Sequence, residues 1–224
     1  MSINFQFIKS SEHQLFKEFK HIYKFAVESH DFMYETLVKK TDNMNLGFDQ
    51  NIIDTIQFRY KQVDILINDL LSNCVWNIQK NEPRANHLRF IVAIINSLRD
   101  LEFLNNSYLS LLKFFMKRQL SQDIYKHFLE AYKVTNNVSH TILEVLEEHN
   151  RLYIGNEKLV NTFTEYHKYL KNIIRTSILI YSENNHMLDN KTLIDLITNF
   201  GILERMVEHQ ESIIHAFSYI NPIN

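Results

Sequence analysis

Turn-forming residues are scarce in this chain. Its 224 residues include 3 glycines and 2 prolines, where average composition would give about 12% of the two together. Sandwiches, barrels and parallel βαβ units use such residues at their corners. The shortage excludes those folds and leaves long helices with few connections. The single cysteine, Cys74, excludes an internal disulfide. Standing in an apolar-periodic segment, it reads as a buried structural thiol. No run approaches the ~18 uninterrupted apolar residues of a membrane span, and the group at 178–181 is short. The start, MSINFQFIKSSEHQ, has no basic-then-apolar leader pattern, and a soluble cytoplasmic protein is expected. Basic excess is missing too: 24 Lys and Arg stand against 26 Asp and Glu, a net charge of -2. Phosphate-backbone binding normally relies on such an excess, so nucleic acid is not an expected partner. What is present is 45% hydrophobic and 22% charged residues, enough for a full core and unlike a disordered chain.

The hydrophobic residues recur at spacings of three and four, the signature of amphipathic helices. Ser11-Glu12-His13-Gln14 has the capping-box pattern, which predicts a first helix from there to about residue 40. Gly47 lies in the loop that follows. A second helix starts near Asp49, carries Ile53, Ile56, Tyr60, Val63, Ile67, Leu70 and Cys74 on one stripe, and stops before Pro83. Pro83 is placed to open the third helix, whose stripe is read as Leu88, Val92, Ile95, Glu102, Asn106 and Leu109 and which ends near 118. Ser121 is the expected N-cap of a fourth helix over 122–149. The fifth covers 157–182 after the loop at Gly155, and the sixth covers 191–219 with a stripe of Leu193, Ile197, Phe200, Glu204, Val207, Glu211 and Ile214.

Three long helices followed by three more form an internal repeat. Gly47 and Gly155 are 108 residues apart, and Glu102 and Glu204 are 102 apart. A repeat of this size is a duplicated three-helix bundle rather than a solenoid unit. The expectation is an all-α chain of two tandem bundles placed end to end, residues 1–118 and 121–224.

The third helix of each repeat breaks the core rule. Glu102 and Asn106 stand at i and i+4 in the first, and Glu204, Glu208 and Glu211 at i, i+4 and i+7 in the second. Residues so spaced are neighbours on one helical face, and burying unpaired charge is costly. Either these faces are wet bundle edges, or a cation binds them. Hard oxygen ligands on helix faces suit Mg²⁺, Mn²⁺ or iron.

The segment Glu82-Pro83-Arg84-Ala85-Asn86-His87-Leu88-Arg89, joined to Asp100-Leu101-Glu102 and echoed by Leu203-Glu204-Arg205-Met206-Val207-Glu208-His209, resembles the PhoU family of bacterial phosphate-transport regulators. The resemblance covers nearly the whole chain. It implies two three-helix bundles, each able to hold a metal site built from Glu-x-x-x-Asp motifs and acids of neighbouring helices. The first site would use Asp64 and Glu102, with Asn106 where the family has Asp. The second would use Glu204, with Glu208 in place of Asp and His209 beside it. Partners for the second site on the fourth and fifth helices are not obvious, and Glu165, His167 and Asp189 are candidates. His87 and the run from Phe103 to Asn106 depart from the family pattern, and an amide at 106 is a poorer ligand than a carboxylate. The resemblance thus implies iron or another divalent metal (Mg, Mn or Zn) at the second bundle. It implies further a non-catalytic regulator that binds a phosphate ABC transporter (permease or ATPase) and, where one exists, a phosphate-sensing histidine kinase. Family members are often dimeric.

Two other readings stay open from the residues. Carboxylates in helix bundles also build di-iron oxidases, which need Glu-x-x-His motifs on two helices, and no convincing inward Glu-x-x-His exists here. A metal-free helical adaptor would use none of these groups. The remaining histidines lack HExxH-type spacing, no glycine-rich phosphate loop exists, and no nucleophile-elbow motif is present.

Overall fold

The computed structural model describes residues 2–41, 48–83, 85–117, 120–148, 157–183 and 189–218. Among them are six helices and no strand: α1 Ser2–Thr41, α2 Gln50–Asn81, α3 Asn86–Lys117, α4 Gln122–Glu148, α5 Glu157–Glu183 and α6 Asn190–Ser218. Their ends follow the short polar side chains. Asp49 caps α2, its carboxylate accepting from the Asn51 amide at 2.9 Å. The Ser121 hydroxyl accepts from the Ile124 amide at 3.5 Å, and Asp189 accepts from the Thr192 amide at 2.6 Å.

Two expected helix starts are corrected. α1 begins at Ser2, so the Ser11–Gln14 pattern lies inside a helix. There Gln14 instead donates to Glu18 one turn on, at 2.7 Å. Nor does Pro83 open α3, which starts at Asn86. Pro83 is buried in a tight reversal between Glu82 (φ 43°) and Ala85 (φ 51°). Both are left-handed positions where glycine would be easiest, and each costs an L-residue roughly 1–2 kcal/mol. The loops containing Gly47 and Gly155 lie outside the described residues.

The packing replaces the end-to-end arrangement with a side-by-side one. The most extensive helix pairing is α3 with α6, and α1 pairs closely with α4. Among the described residues, α2 packs only on α1 and α3, and α5 only on α4 and α6. Four inner helices therefore carry most of one continuous core, and α2 and α5 flank it, each adding one buried face.

The duplication is visible as a pseudo-twofold relation. Buried positions of α1 recur 109 residues later in α4: Leu15 with Ile124, Phe19 with Phe128, Tyr23 with Tyr132, Met33 with Ile142, Leu37 with Leu146. Those of α3 recur 102 residues later in α6: Leu98 with Phe200, Leu101 with Leu203, Leu104 with Met206, Phe115 with Phe217. Contacts across the pseudo-dyad are reciprocal. The Tyr23 hydroxyl donates to the Ser139 carbonyl, and the Tyr132 hydroxyl to the His30 carbonyl, each at 3.4 Å. Phe19 meets Phe217 at 5.6 Å between ring centroids, and its counterpart Phe128 meets Phe115 at 5.0 Å. Such aromatic pairs contribute about 0.5–1.5 kcal/mol each beyond area burial.

The stripe read for α3 is rotated from the real one. Leu88 and Val92 are exposed, as are Glu102 and Asn106, while Ile91, Ile94, Leu98, Leu101, Leu104 and Tyr108 form the core face. In α6, Phe200, Val207 and Ile214 are buried as expected, but Ile197 is exposed. Cys74 is fully buried, and burial pushes its thiol up to about 12.

Because one core crosses the repeat boundary, urea unfolding is expected to be a single transition, with matching midpoints by far-UV dichroism and by Trp76 fluorescence. Two separated midpoints would mean that the halves fold independently. A pH effect follows from His30, which is stacked on Tyr108 at 5.3 Å. Burial holds its imidazole down to about 4, with Asp31 acting weakly the other way. As pH falls below about 6.5 the unfolded chain takes up this proton first, so the stability is full above that pH and is lost toward pH 4. Between pH 7 and 5 the loss should be on the order of 2 kcal/mol. His30→Gln should lack that share, measured as the difference in urea midpoints between the two pH values.

Candidate functional site

The outer helices meet the inner ones along two equivalent edges, α2 on α3 and α5 on α6. Buried positions of α2 recur 107 residues later in α5: Ile56 with Phe163, Val63 with Leu170, Ile67 with Ile174, Cys74 with Tyr181. By the same offset Tyr60 corresponds to His167 and Asp64 to Lys171. With Glu102 matching Glu204 and Asn106 matching Glu208, each edge presents four corresponding positions. The positions are shared and the chemistry is not.

On the α5–α6 edge, His167 and Lys171 stand one turn apart facing Glu204 and Glu208, also one turn apart. The His167 Nε2 lies 3.6 Å from Glu204 Oε1 and 4.0 Å from Glu208 Oε1, and Lys171 Nζ lies 3.2 Å from the same Glu204 oxygen. That Nε2 is buried and has no hydrogen-bond partner. An unpaired buried polar atom is costly, and here it points between two carboxylates. The candidate ligand atoms of His167, Glu204 and Glu208 all fall within 4.8 Å of one another, the one such trio among the described residues. Glu211, a further turn along α6, has its carboxyl pKa raised, first by burial and also by Glu208, against the lowering effects of His167, His215 and Lys171.

On the α2–α3 edge the corresponding groups are engaged differently. The Tyr60 hydroxyl donates to Asn106 Oδ1 at 3.0 Å, and the Asn105 amide donates to the Tyr60 carbonyl at 3.0 Å. Burial, then the charges of Asp64 and Glu102, raise the Tyr60 hydroxyl pKa. Asp64 and Glu102 therefore do share a neighbourhood with Asn106. Yet the Asn106 oxygen is already taken by a phenol, and these residues supply no imidazole. The set does not suit a cation as well as its counterpart does.

The other candidates go elsewhere. His209 turns away from Glu204 and Glu208 to α3, where its Nδ1 lies 2.7 Å from Asp100 Oδ1 and its ring stacks on Phe103 at 3.9 Å. Glu165 is exposed and two residues from His167, roughly 200° around the helix. Asp189 is occupied as the α6 cap, about 22 Å along the helix from Glu204 by the rise per residue. Of the three candidate partners only His167 reaches the carboxylates. Lys171 was not foreseen, and only its (i, i+4) spacing from His167 marks it in the sequence.

Comparison with known proteins gives the fold a reference. Over 98% of this chain and 97% of the other, the structure superposes on the crystal structure of PhoU from Pseudomonas aeruginosa, with a TM-score of 0.62 at 14% sequence identity. The fold is that of PhoU. By sequence, the chain is 29% identical over 224 residues to an uncharacterized protein of Mycoplasma pneumoniae, and 28% identical over 226 residues to one of Mycoplasma genitalium. Each match covers 99% of this chain and 97% of the relative. No family model matches. In this divergent PhoU fold, the Leu203-Glu204-Arg205 stretch supplies one wall of the His167 cluster. No helix among the described residues is long and apolar enough to cross a membrane.

Proposed function

We propose that this protein is a PhoU-like regulator of phosphate uptake. The observation that carries the reading is the superposition on PhoU along nearly the entire chain, joined to the Leu-Glu-Arg segment standing at the more ligand-like of the two edges. The protein would act in the cytoplasm without catalysis, as a homodimer. It would bind the permease or ATPase of a phosphate ABC transporter and, in cells that have one, a phosphate-sensing histidine kinase. Affinity capture of the tagged protein from its own cells grown in ample phosphate should bring down the transporter's permease or ATPase. Capture that never contains them, under high or low phosphate, would overturn the reading.

The α5–α6 edge is the proposed metal site. His167, Glu204 and Glu208 would hold one divalent ion, and a nitrogen beside two carboxylates favours iron, manganese or zinc over magnesium. When bound, the ion would supply positive charge and rigidity to the edge. Three ligands are few for the ion pair that oxidase chemistry needs. The α2–α3 edge, with Asn106 bonded to Tyr60, is proposed to stay metal-free.

One observation favours a metal-free adaptor instead: Lys171 already neutralises Glu204 at 3.2 Å. The two readings separate by metal analysis of protein purified without chelator and then loaded with Fe²⁺, Mn²⁺ or Zn²⁺. About one ion per chain is expected, falling to background in the double variant Glu204→Ala, Glu208→Ala, while Glu102→Ala keeps it. Background metal in all three proteins would leave the adaptor.

A further inference from the structure

A second polar cluster lies where the two halves meet. A cavity of about 560 Å³ opens between α3 and α6, walled by Asn96, Arg99 and Asp100 on one side and His209, Ser212 and His215 on the other, with Ala216 as an apolar patch. It uses neither the carboxylate cluster of the α5–α6 edge nor the caps of any helix.

The chemistry of its walls is specific. Arg99 is exposed and makes no ion pair with any described residue. A guanidinium presents a planar fork that matches the oxygens of carboxylate or phosphate. Opposite it, His209 is fixed from two sides, by Asp100 Oδ1 at Nδ1 and by the Phe103 ring beneath it. Phe103 is in turn covered by the Arg205 guanidinium, 5.4 Å from its centroid. With the Nδ1 hydrogen directed at the carboxylate, Nε2 is the free polar atom of the ring. The only carboxylate of the cavity, Asp100, is the one His209 engages.

The pseudo-dyad provides an internal control on what packing alone requires. By the 102-residue correspondence of α3 and α6, Arg99 matches Gly201, Asp100 matches Ile202, His209 matches Ser107 and His215 matches Lys113. Around Gly201 a side chain would meet nothing within 4 Å. The equivalent positions therefore sustain the same helix pairing without a guanidinium, a carboxylate or an imidazole. The ionic set on the Arg99 side is an addition to the packing.

We propose that this cavity binds a small phosphorylated molecule, a sugar or nucleoside monophosphate. A phosphate monoester near neutral pH, with a second ionisation near 6, offers acceptor oxygens to Arg99. In its monoprotonated form it also offers a hydroxyl to His209 Nε2. The volume falls in the usual range for sites of small organic ligands, about 300–1,000 Å³, and far exceeds a bare phosphate group. The body of the ligand would lie along Ala216 and the α6 wall, with Asn96 and Ser212 as hydrogen-bonding partners. This binding does not depend on the phosphate-uptake reading or on a metal.

The test is calorimetric titration of the full chain with adenosine 5′-monophosphate, ribose 5-phosphate and inorganic phosphate, with adenosine and ribose as unphosphorylated controls. Saturable binding of at least one organic phosphate is expected, with none for adenosine or ribose. Arg99→Gln should weaken it by about tenfold or more, the scale of losing one charge-assisted pair. Lys113→Gln, at the dyad-related position of His215, should bind like the parent. Arg99 is exposed, and unchanged dichroism and thermal midpoint would show its variant folded. The proposal is overturned if no organic phosphate binds, if Arg99→Gln binds as tightly as the parent, or if inorganic phosphate alone matches the organic ligands.

Discussion

Helices of 27 to 40 residues draw little net stability from their own backbone hydrogen bonds, and depend on burying side chains against neighbours. The contact that meets this need is the reciprocal pairing of α3 with α6 and α1 with α4. It makes four helices inner ones, each apolar over a wide arc. α3 alone buries fourteen residues along its length. It leaves α2 and α5 with one buried face and one wet one, which is why exposed Phe58, Ile65 and Trp76 are found on α2. The edges, the α3–α6 cavity and the reciprocal tyrosine bonds all follow from where those inner faces end.

Within that frame, corresponding positions are held to different standards. Buried apolar positions match across the pseudo-dyad almost residue for residue, because a mismatch in volume leaves a cavity or a clash. The edge positions lie at the margin of the core and carry no such demand. Tyr60 and His167 occupy the same place, as do Asp64 and Lys171 or Asn106 and Glu208. One edge bonds a phenol to an amide beside the carboxylates of Asp64 and Glu102, and the other faces two carboxylates with a lysine and an imidazole whose nitrogen is unpaired. Duplication supplied two copies of a geometry, and the wet margin let their chemistry separate.

Much of this was legible in the sequence, and the residues that were not share a cause. The poverty of glycine and proline, with the helix start at Asp49 and the cap at Ser121, was enough for six helices and most of their ends, because those signals are local. The helix phase was not local. Reading Leu88, Ile95, Glu102 and Leu109 as one stripe follows steps of seven, which drift about 20° per step on a 3.6-residue helix. On an inner helix with neighbours on three sides, a narrow stripe does not exist to be found. Glu102 and Asn106 thus looked like charges in a core when they stand at its edge. Which of the candidate partners meets Glu204 and Glu208 was undecidable for a related reason. Which residue of α5 faces which residue of α6 depends on the register of two helices separated in sequence by a loop, and no spacing within either one encodes it. His209 misled in the opposite way: its place beside Glu208 in sequence puts it about 100° around the helix, facing α3 and Asp100.

The buried polar pairs show how strictly the core enforces what the margin does not. His30 stacks on Tyr108 in one half, and at the matching positions Gln210 donates to the Ser139 hydroxyl in the other. Both partners changed together. The Tyr108 hydroxyl and Gln210 Oε1 already lie buried without partners, so a half-made exchange that stranded one more group, at about 1–3 kcal/mol, would take a large share of a marginal stability. No such coupling constrains Arg99, whose counterpart is Gly201, since water can solvate an exposed guanidinium. The places where the two halves differ one residue at a time are therefore the places where selection for something other than folding can be read, and in this chain they are the α5–α6 edge and the cavity between α3 and α6.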